Sequence, residues 1–365
     1  MTSNPFPSKN SEWKNQMLEE DILDLLDRSD ASLRKLVGQH VVMTGAGGFL
    51  GRYFVRVIEA FNQNNTGKIT FTGIDNFVIG QPRHKHTIAD DNISMFEGDI
   101  CDGAVIDSIA KPDYIISAAG IASPYYYRAM PIETLNVSVN GNQNLLNLAK
   151  RYDSRFTFFS SSEIYGNPGE DHIPTRESYN GNVSCLGPRA CYDESKRLGE
   201  TLAYIYSTHK GLHTNIIRPF NVYGPGMGEF DYRVFPNFAS CLKKGKDLEI
   251  YGDGAQTRTF CYVVDAIDGF LRVVTSGVFG EPYNIGNPKP EISMHDLANL
   301  FLKLSTSSTS KLKLSDYPDS YPGDEPRRRC PDITKAVVQL GYSPKVDLEV
   351  GIQKFLTWTE ANYTG

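Results

Sequence analysis

The sequence predicts an α/β protein, a doubly wound parallel sheet followed by a smaller C-terminal α/β lobe. Three observations carry this reading. Short apolar runs recur at Val41 to Thr44, Lys68 to Ile74, Ile93 to Glu97, Tyr114 to Ser117, Arg155 to Ser160 and Thr214 to Arg218, and each is short enough to be a buried strand. Helical patterns lie between them, notably from Gly51 to Phe61, from Pro131 to Arg151 and after Tyr192. The first run, which begins at His40, leads directly into the glycine-rich turn Gly45-Ala-Gly-Gly48-Phe49-Leu50-Gly51.

Ahead of the sheet, residues 1–15 are polar and are expected to be loosely ordered. Met17 to Leu36 places Leu18, Ile22, Leu25, Leu26, Leu33 and Leu36 at helical spacing, with acids early and bases late, as a helix dipole prefers. This segment is expected to clasp the main domain. The expected organisation is a helical extension over 1–37, a dinucleotide-binding domain over 38–218, and a substrate lobe over 219–365 partly interleaved with it.

Strand, glycine turn and helix together form a phosphate-cradling, Rossmann-type unit. Gly45 permits the tight turn, Gly48 lets a pyrophosphate approach the helix N-terminus, and Gly51 lets helix and strand pack closely. The second strand ends in Asp75-Asn76. An acid there accepts hydrogen bonds from the adenosine ribose and repels a 2′-phosphate, which points to NAD rather than NADP. The third strand ends before Gly98-Asp99-Ile100 and the fourth before Ala118-Ala119-Gly120, where small residues leave room for a ligand.

The fifth strand ends in Ser160-Ser161-Ser162-Glu163, and a loop then leads to Tyr192-Asp-Glu-Ser-Lys196 at the start of a helix. Residues four apart share a helix face, so a phenol sits beside an ammonium. A neighbouring cation is expected to lower the phenol's pKa toward working pH and make it a usable base. A second Tyr/Lys pair, Tyr206 and Lys210, ends just before Gly211, a natural helix C-cap, and is read as surface structure. Beyond Arg218 the alternation fades into loops carrying Asn221, the turn Tyr251-Gly-Asp-Gly-Ala-Gln256-Thr-Arg258, and Arg327, Arg328 and Arg329. Guanidinium groups suit diphosphates and carboxylates. Ser305 to Ser310 reads as a short polar loop, and Ser320 to Thr334 as loop-rich.

The whole-chain balance narrows the partners. Of 365 residues, 22% are charged and the net charge is −6, with no basic block, so a nucleic-acid partner is not expected. No apolar stretch approaches the length of a membrane span, and no signal-peptide pattern opens the chain, so a membrane partner is not expected either. Six cysteines without a C-x-x-C pair are expected to be reduced thiols in a cytoplasmic protein.

With these residues in place, the chain resembles the extended short-chain dehydrogenase/reductase family from about Val41 onward, and within it the UDP-glucuronate decarboxylases. The resemblance rests on Gly45-x-x-Gly48-x-x-Gly51, Asp75-Asn76-Phe77, Ala122-Ser123-Pro124, Ser161-Ser-Glu-Ile-Tyr-Gly166, Cys191-Tyr-Asp-Glu-Ser-Lys196, Arg218-Pro-Phe-Asn221-Val-Tyr-Gly224, Tyr251 to Arg258 and Pro331-Asp-Ile-Thr-Lys335. Related 4,6-dehydratases usually carry Asp-Glu after the fifth strand; here the first of those places is Ser162. Gly120-Ile121 replaces the family's usual Cys-Pro, and Ser138 its usual Asn.

The resemblance implies NAD held by Gly45, Gly48, Phe49, Leu50, Gly51, Asp75, Asn76, Asp99, Ile100, Ala118 and Ala119, with Tyr192 and Lys196. It implies a nucleotide-sugar substrate, UDP-glucuronate first among them, against Ser123, Asn221, Arg233, Tyr251, Gln256, Arg258 and Arg329. Tyr192, Lys196, Glu163, Ser161, Ser162 and Arg258 are the implied catalytic set, and a homodimer is the expected assembly. Another nucleotide-sugar dehydratase or epimerase, or a silent NAD-binding protein, are the alternatives.

Overall fold

A computed structural model describes residues 17–79, 88, 90–305, 309–316 and 326–364. The expectation for residues 1–15 falls outside these, as do parts of the loops expected at Ser305 to Ser310 and Ser320 to Thr334.

The centre is a seven-stranded parallel sheet. Its strands are β1 (His40–Thr44), β2 (Thr70–Asp75), β3 (Ile93–Glu97), β4 (Tyr114–Ser117), β5 (Arg155–Phe159), β6 (Thr214–Pro219) and a seventh, Glu281–Ile285. From the edge at Glu281–Ile285 the order runs through β6, β5, β4, β1 and β2 to β3. Every neighbour pairs in parallel. The order reverses direction between β1 and β4, which opens a crevice at their C-terminal ends. Helices cover both faces, so Val41, Val42 and Met43 of β1 are all fully buried. This is why the strands read as apolar runs rather than alternating ones.

Six strands fall where the sequence puts them, within two residues at either end. The seventh does not announce itself, because Glu281-Pro282-Tyr-Asn-Ile carries a proline that argues against a strand. Pro282 is tolerated because this strand is an edge and pairs only with β6, Pro282 opposite Ile216. The long helix expected from Pro131 to Arg151 is also interrupted. A π-helical turn, Val137–Gly141, separates Pro131–Asn136 from Asn142–Tyr152. Gly141 passes so close to the Ile100 side chain that a Cβ there would lie 2.6 Å from Ile100 Cγ1. Periodicity alone does not reveal such a one-residue insertion.

Helix α1 (Glu19–Lys35) clasps the fold through its apolar stripe, with Ile22, Leu25 and Leu33 buried. Polar bonds fix its register. Arg28 pairs with Asp265 at 2.6 Å, Ser29 Oγ donates to Asp268 at 3.0 Å, and Asp21 accepts from Tyr262 Oη at 2.6 Å and from Lys354 Nζ at 2.9 Å. Asp265 and Asp268 lie on the Val263–Val274 helix, whose Ile267 and Leu271 are fully buried in the same core as β1 and β6. Truncating Leu25, which has no exposed surface, leaves a cavity that α1 cannot collapse into. Leu25→Ala is expected to lower unfolding free energy by about 2–5 kcal/mol, read from urea denaturation midpoints, with turnover below the transition unchanged.

Candidate active site

The glycine turn is built as its residues require. Gly45 has φ +71°, and a Cβ there would sit 2.8 Å from Ala118 O of the strand across the crevice. A Cβ on Gly51 would come within 2.4 Å of Gly45 O, so this helix can pack on its own turn only as glycine. Helix α2 (Phe49–Asn64) starts at Gly48 without a side-chain cap, leaving its first backbone N–H groups facing the crevice. Asp75, at the end of β2, accepts from Gly47 N at 2.9 Å and from Phe77 N at 2.8 Å. Burial pushes its carboxyl above the usual range, against the pull of those bonds. Asn76 donates to Asp99 at 3.3 Å.

Every residue that the sequence assigns to catalysis, cofactor or substrate lines one continuous cavity of about 1270 Å³. It runs from the glycine turn past Asn76, Asp99, Ile100, Ala118 and Ala119 to Ser123, and on to Asn221, Arg233, Tyr251, Gln256 and Arg258. The groups present fit a dinucleotide: a glycine cradle, an uncapped helix N-terminus, an acid at the end of β2, and the buried Ser160 Oγ at the cavity wall with no hydrogen-bond partner.

The Ala190–Lys210 helix carries Tyr192 and Lys196 on its buried face at the end of β5. Their mutual effect differs from the sequence expectation. Lys196 Nζ donates to Phe159 O at 2.8 Å and lies 5.8 Å from the centre of the Tyr192 ring. Burial dominates both groups: it pushes the phenol up to about 12, with a bond to Ser161 and the charge of Arg233 pulling the other way, and holds the ammonium down at about 8. Spacing shows that two side chains share a face, but not how much water surrounds them. Tyr127, which the sequence reading passed over, stacks on Tyr192 at 5.3 Å between ring centres and 14° between planes. It stands three residues beyond Pro124 of the Ala122-Ser123-Pro124 motif, which was the available signal. At Gly120 a Cβ would lie 3.2 Å from Lys196 Nζ, so the glycine leaves the ammonium room.

Ser161, Ser162 and Glu163 form the turn after β5, where Ser161 Oγ accepts from Glu163 N at 3.2 Å. Facing them is a small three-stranded sheet, in which Thr257–Arg258 lies between Ile292–Ser293 and Arg328–Arg329. Its register sets Arg258 directly beside Arg329, and both are largely buried. The three consecutive arginines thus have separate tasks. Arg327 O accepts from Thr257 N at 2.9 Å, Arg328 grips Glu291 with two bonds of 2.8 Å, and Arg329 grips Glu163 at 2.6 and 2.7 Å. Arg329, expected at the nucleotide, is therefore paired with the acid next to the serines. Arg189, a second guanidinium missed by sequence reading, also bonds Glu163. Of the other substrate candidates, Ser123 Oγ donates to Asp231 O at 2.5 Å, Arg233 is paired with Asp231, and Asn221, at φ +41°, donates to Thr259 O at 2.8 Å. The Gln256 amide nitrogen reaches Tyr251 O at 3.5 Å, while its buried oxygen has no partner.

A parallel sheet with a glycine cradle at its switch point and a Tyr/Lys pair at the end of β5 defines a class of nucleotide-dependent enzymes. The chain matches the NAD dependent epimerase/dehydratase family over residues 41–286 and belongs to it. It is 38% identical to UDP-glucuronic acid decarboxylase 1 of Xenopus tropicalis over 87% of this chain and 71% of that one. It is 37% identical to UDP-glucuronic acid decarboxylase 5 of Arabidopsis thaliana, over 86% of both chains. Among solved structures, a dTDP-glucose 4,6-dehydratase from Streptomyces venezuelae with NAD bound superposes with a TM-score of 0.78 at 26% identity, covering 88% of this chain and 97% of that one. The protein is an NAD-dependent enzyme of this family.

The low pKa of Lys196 has a consequence for stability. Between about pH 8 and its ordinary 10.5, the unfolded chain holds a proton that the folded protein has released, so folding gains from rising pH in this window. Stability of the wild type relative to Lys196→Met is therefore expected to increase as pH rises through that window, as read from denaturant melts at several pH values.

Proposed function

We propose that the enzyme decarboxylates UDP-glucuronate to UDP-xylose, with Tyr192, Lys196, Ser161, Ser162, Glu163 and Arg258 as the residues that act on the sugar. The observation that carries this reading is Arg258 registered beside Arg329 on the cavity wall, with Arg329 gripping Glu163 next to Ser162. A dehydration needs an acid to protonate a leaving hydroxyl, and a serine at position 162 cannot supply one at neutral pH. The guanidinium of Arg258 beside a hydroxyl-lined wall instead suits a hexuronate carboxylate. Relatives at 35–38% identity that are UDP-glucuronic acid decarboxylases support the same choice.

NAD held along the glycine turn and Asp75 would supply a reversible hydride acceptor for C4 of the sugar, with no net consumption of the cofactor. The chain's own residues do the rest. Tyr192 takes the proton of the C4 hydroxyl in its phenolate form, which burial disfavours and which the ammonium of Lys196, fixed on Phe159 O, favours by its charge. The resulting 4-ketone is β to the C6 carboxylate, so the C5–C6 bond can break with its electrons passing into the ketone. Ser161 and Ser162 hold sugar oxygens, Arg258 holds the carboxylate side, and Glu163 positions the substrate or the water that reprotonates C5. Asn221, Tyr251 and Gln256 face the nucleotide. Incubation with UDP-glucuronate and NAD+ is expected to yield CO2 and a UDP-pentose by mass spectrometry. Tyr192→Phe is expected to keep NAD binding and to lower kcat about 10³-fold; absence of CO2 from the wild type rejects the reading.

Assembly and location are part of the same proposal. The helices Pro131–Asn136 and Ala190–Lys210 expose Ile132, Leu135, Leu198, Tyr204 and Ile205, an apolar surface suited to a second copy of this chain in a homodimer. Leu198→Glu is expected to convert a dimer to a monomer in sedimentation velocity. Among the described residues no helix is long and apolar enough to cross a membrane, and all six cysteines are free thiols, which supports a cytoplasmic setting.

A further inference from the structure

Glu163 is held from two sides, and only one of them belongs to the substrate lobe. Arg329 comes from the small three-stranded sheet and grips both carboxylate oxygens. Arg189 comes from the start of the Ala190–Lys210 helix and bonds Oε2 through Nη2, while its Nε donates to Asp193 Oδ2 at 3.3 Å, one helical turn on. The side chains of Arg189, Asp193 and Arg329 are 7%, 5% and 9% exposed. Two acids and two bases thus form a neutral, buried chain running Asp193, Arg189, Glu163, Arg329.

We propose that Arg189 and Asp193 are a positioning pair: Asp193 anchors the Arg189 guanidinium, and Arg189 fixes the orientation of the Glu163 carboxylate toward the sugar. The pair acts through Glu163 and so rests on the role proposed for that residue above.

Stability alone does not account for the arrangement. An ion pair one helical turn apart contributes little even in water, and burying it costs the hydration of both ions. Asp193 Oδ1 is buried without a hydrogen-bond partner, so its desolvation is only half compensated. Burial and the nearby Glu163 push the Asp193 carboxyl well above its usual range, against the pull of Arg189 and Arg329. Groups kept in such strained electrostatic positions concentrate where chemistry is done. The geometry gives the reason. Glu163 stands on the turn after β5, where Arg329 alone would leave its carboxylate oriented only from the small sheet; Arg189 also ties it to the helix that carries Tyr192, so acid and phenol keep one fixed relation.

The groups facing Asp193 are Glu163 from the turn after β5, Arg189 and Tyr192 from its own helix, and Arg329 from the small sheet. Protonating Asp193 removes its charge and loosens its hold on Arg189, so the anchoring is present above its pKa and is lost as pH falls through it.

The test compares Asp193→Asn and Arg189→Lys with wild type, using whichever nucleotide sugar the wild type turns over. NAD binding and circular dichroism establish that each variant is folded. Both variants are expected to lower kcat about tenfold with KM changed less than about threefold, since an orienting contact acts on the transition state rather than on binding. Asp193→Asn is also expected to flatten the acid limb of the kcat profile, and Arg189→Lys to retain more activity than Arg189→Ala. A merely structural pair would lower the melting temperature and leave the shape of the pH profile intact. Wild-type turnover of another sugar but not of UDP-glucuronate sinks the decarboxylase reading alone. Folded variants with wild-type kcat and pH profile sink the positioning pair alone, and if one variant fails to fold the other decides.

Discussion

The close approach of the Gly45 turn to the end of β4 is the constraint on which the rest of the molecule depends. Between β1 and β4 the sheet changes its direction of winding, and the crevice there exists only because no side chain fills it. A Cβ at Gly45 would run into the backbone at Ala118 and Ala119, and one at Gly51 into the turn itself. With both absent, helix α2 points its uncapped end into the opening, and β5 delivers its serines and the acid at the far wall. The dinucleotide site is therefore less a set of attracting groups than a space that the backbone keeps clear.

The opposite wall is made differently. Two-residue strands are too short to be stable alone, yet three of them set Arg258 and Arg329 side by side. Two of the strands are tied by side-chain bonds to one acid, as Glu291 holds Arg328 and also accepts from Thr257 Oγ1, while Ile292 of the third packs on the main core. Guanidiniums placed by a ladder keep their spacing better than guanidiniums on a free loop. The cavity is thus walled by two unlike parts of the fold, a long helix carrying Tyr192 and Lys196 and a small polar sheet carrying Arg258 and Arg329.

Much of this was legible in the sequence, for identifiable reasons. Six strands showed because a parallel sheet covered on both faces turns each strand into an apolar run. The Tyr192/Lys196 pair stood out because a four-residue spacing means a shared face, and the position of Gly211 separated it from its neighbour Tyr206/Lys210; Gly211 indeed caps the helix at φ +67°. What stayed hidden depends on contacts that sequence order does not carry. Arg329 meets Glu163 across 166 positions, and nothing local marks the pairing. The direction of the Tyr192 shift follows from burial, which spacing cannot report. Pro282 masked an edge strand, and the π turn at Val137–Gly141 lies within a pattern that looks continuously helical.

Helix α1 has an implication for the order in which the molecule is assembled. Its partners lie at Tyr262, Asp265, Asp268 and Lys354, so the earliest described element closes on some of the latest, up to 333 positions away. As the chain leaves the ribosome, this amphipathic helix can meet α2 early, through Arg56 and Glu19 among others, but its polar bonds to the Val263–Val274 helix and to Lys354 wait until most of the protein has been made. The side of the stripe that faces the Val263–Val274 helix stays unsheltered until that helix is made, and completed docking marks the arrival of the C-terminal part of the chain.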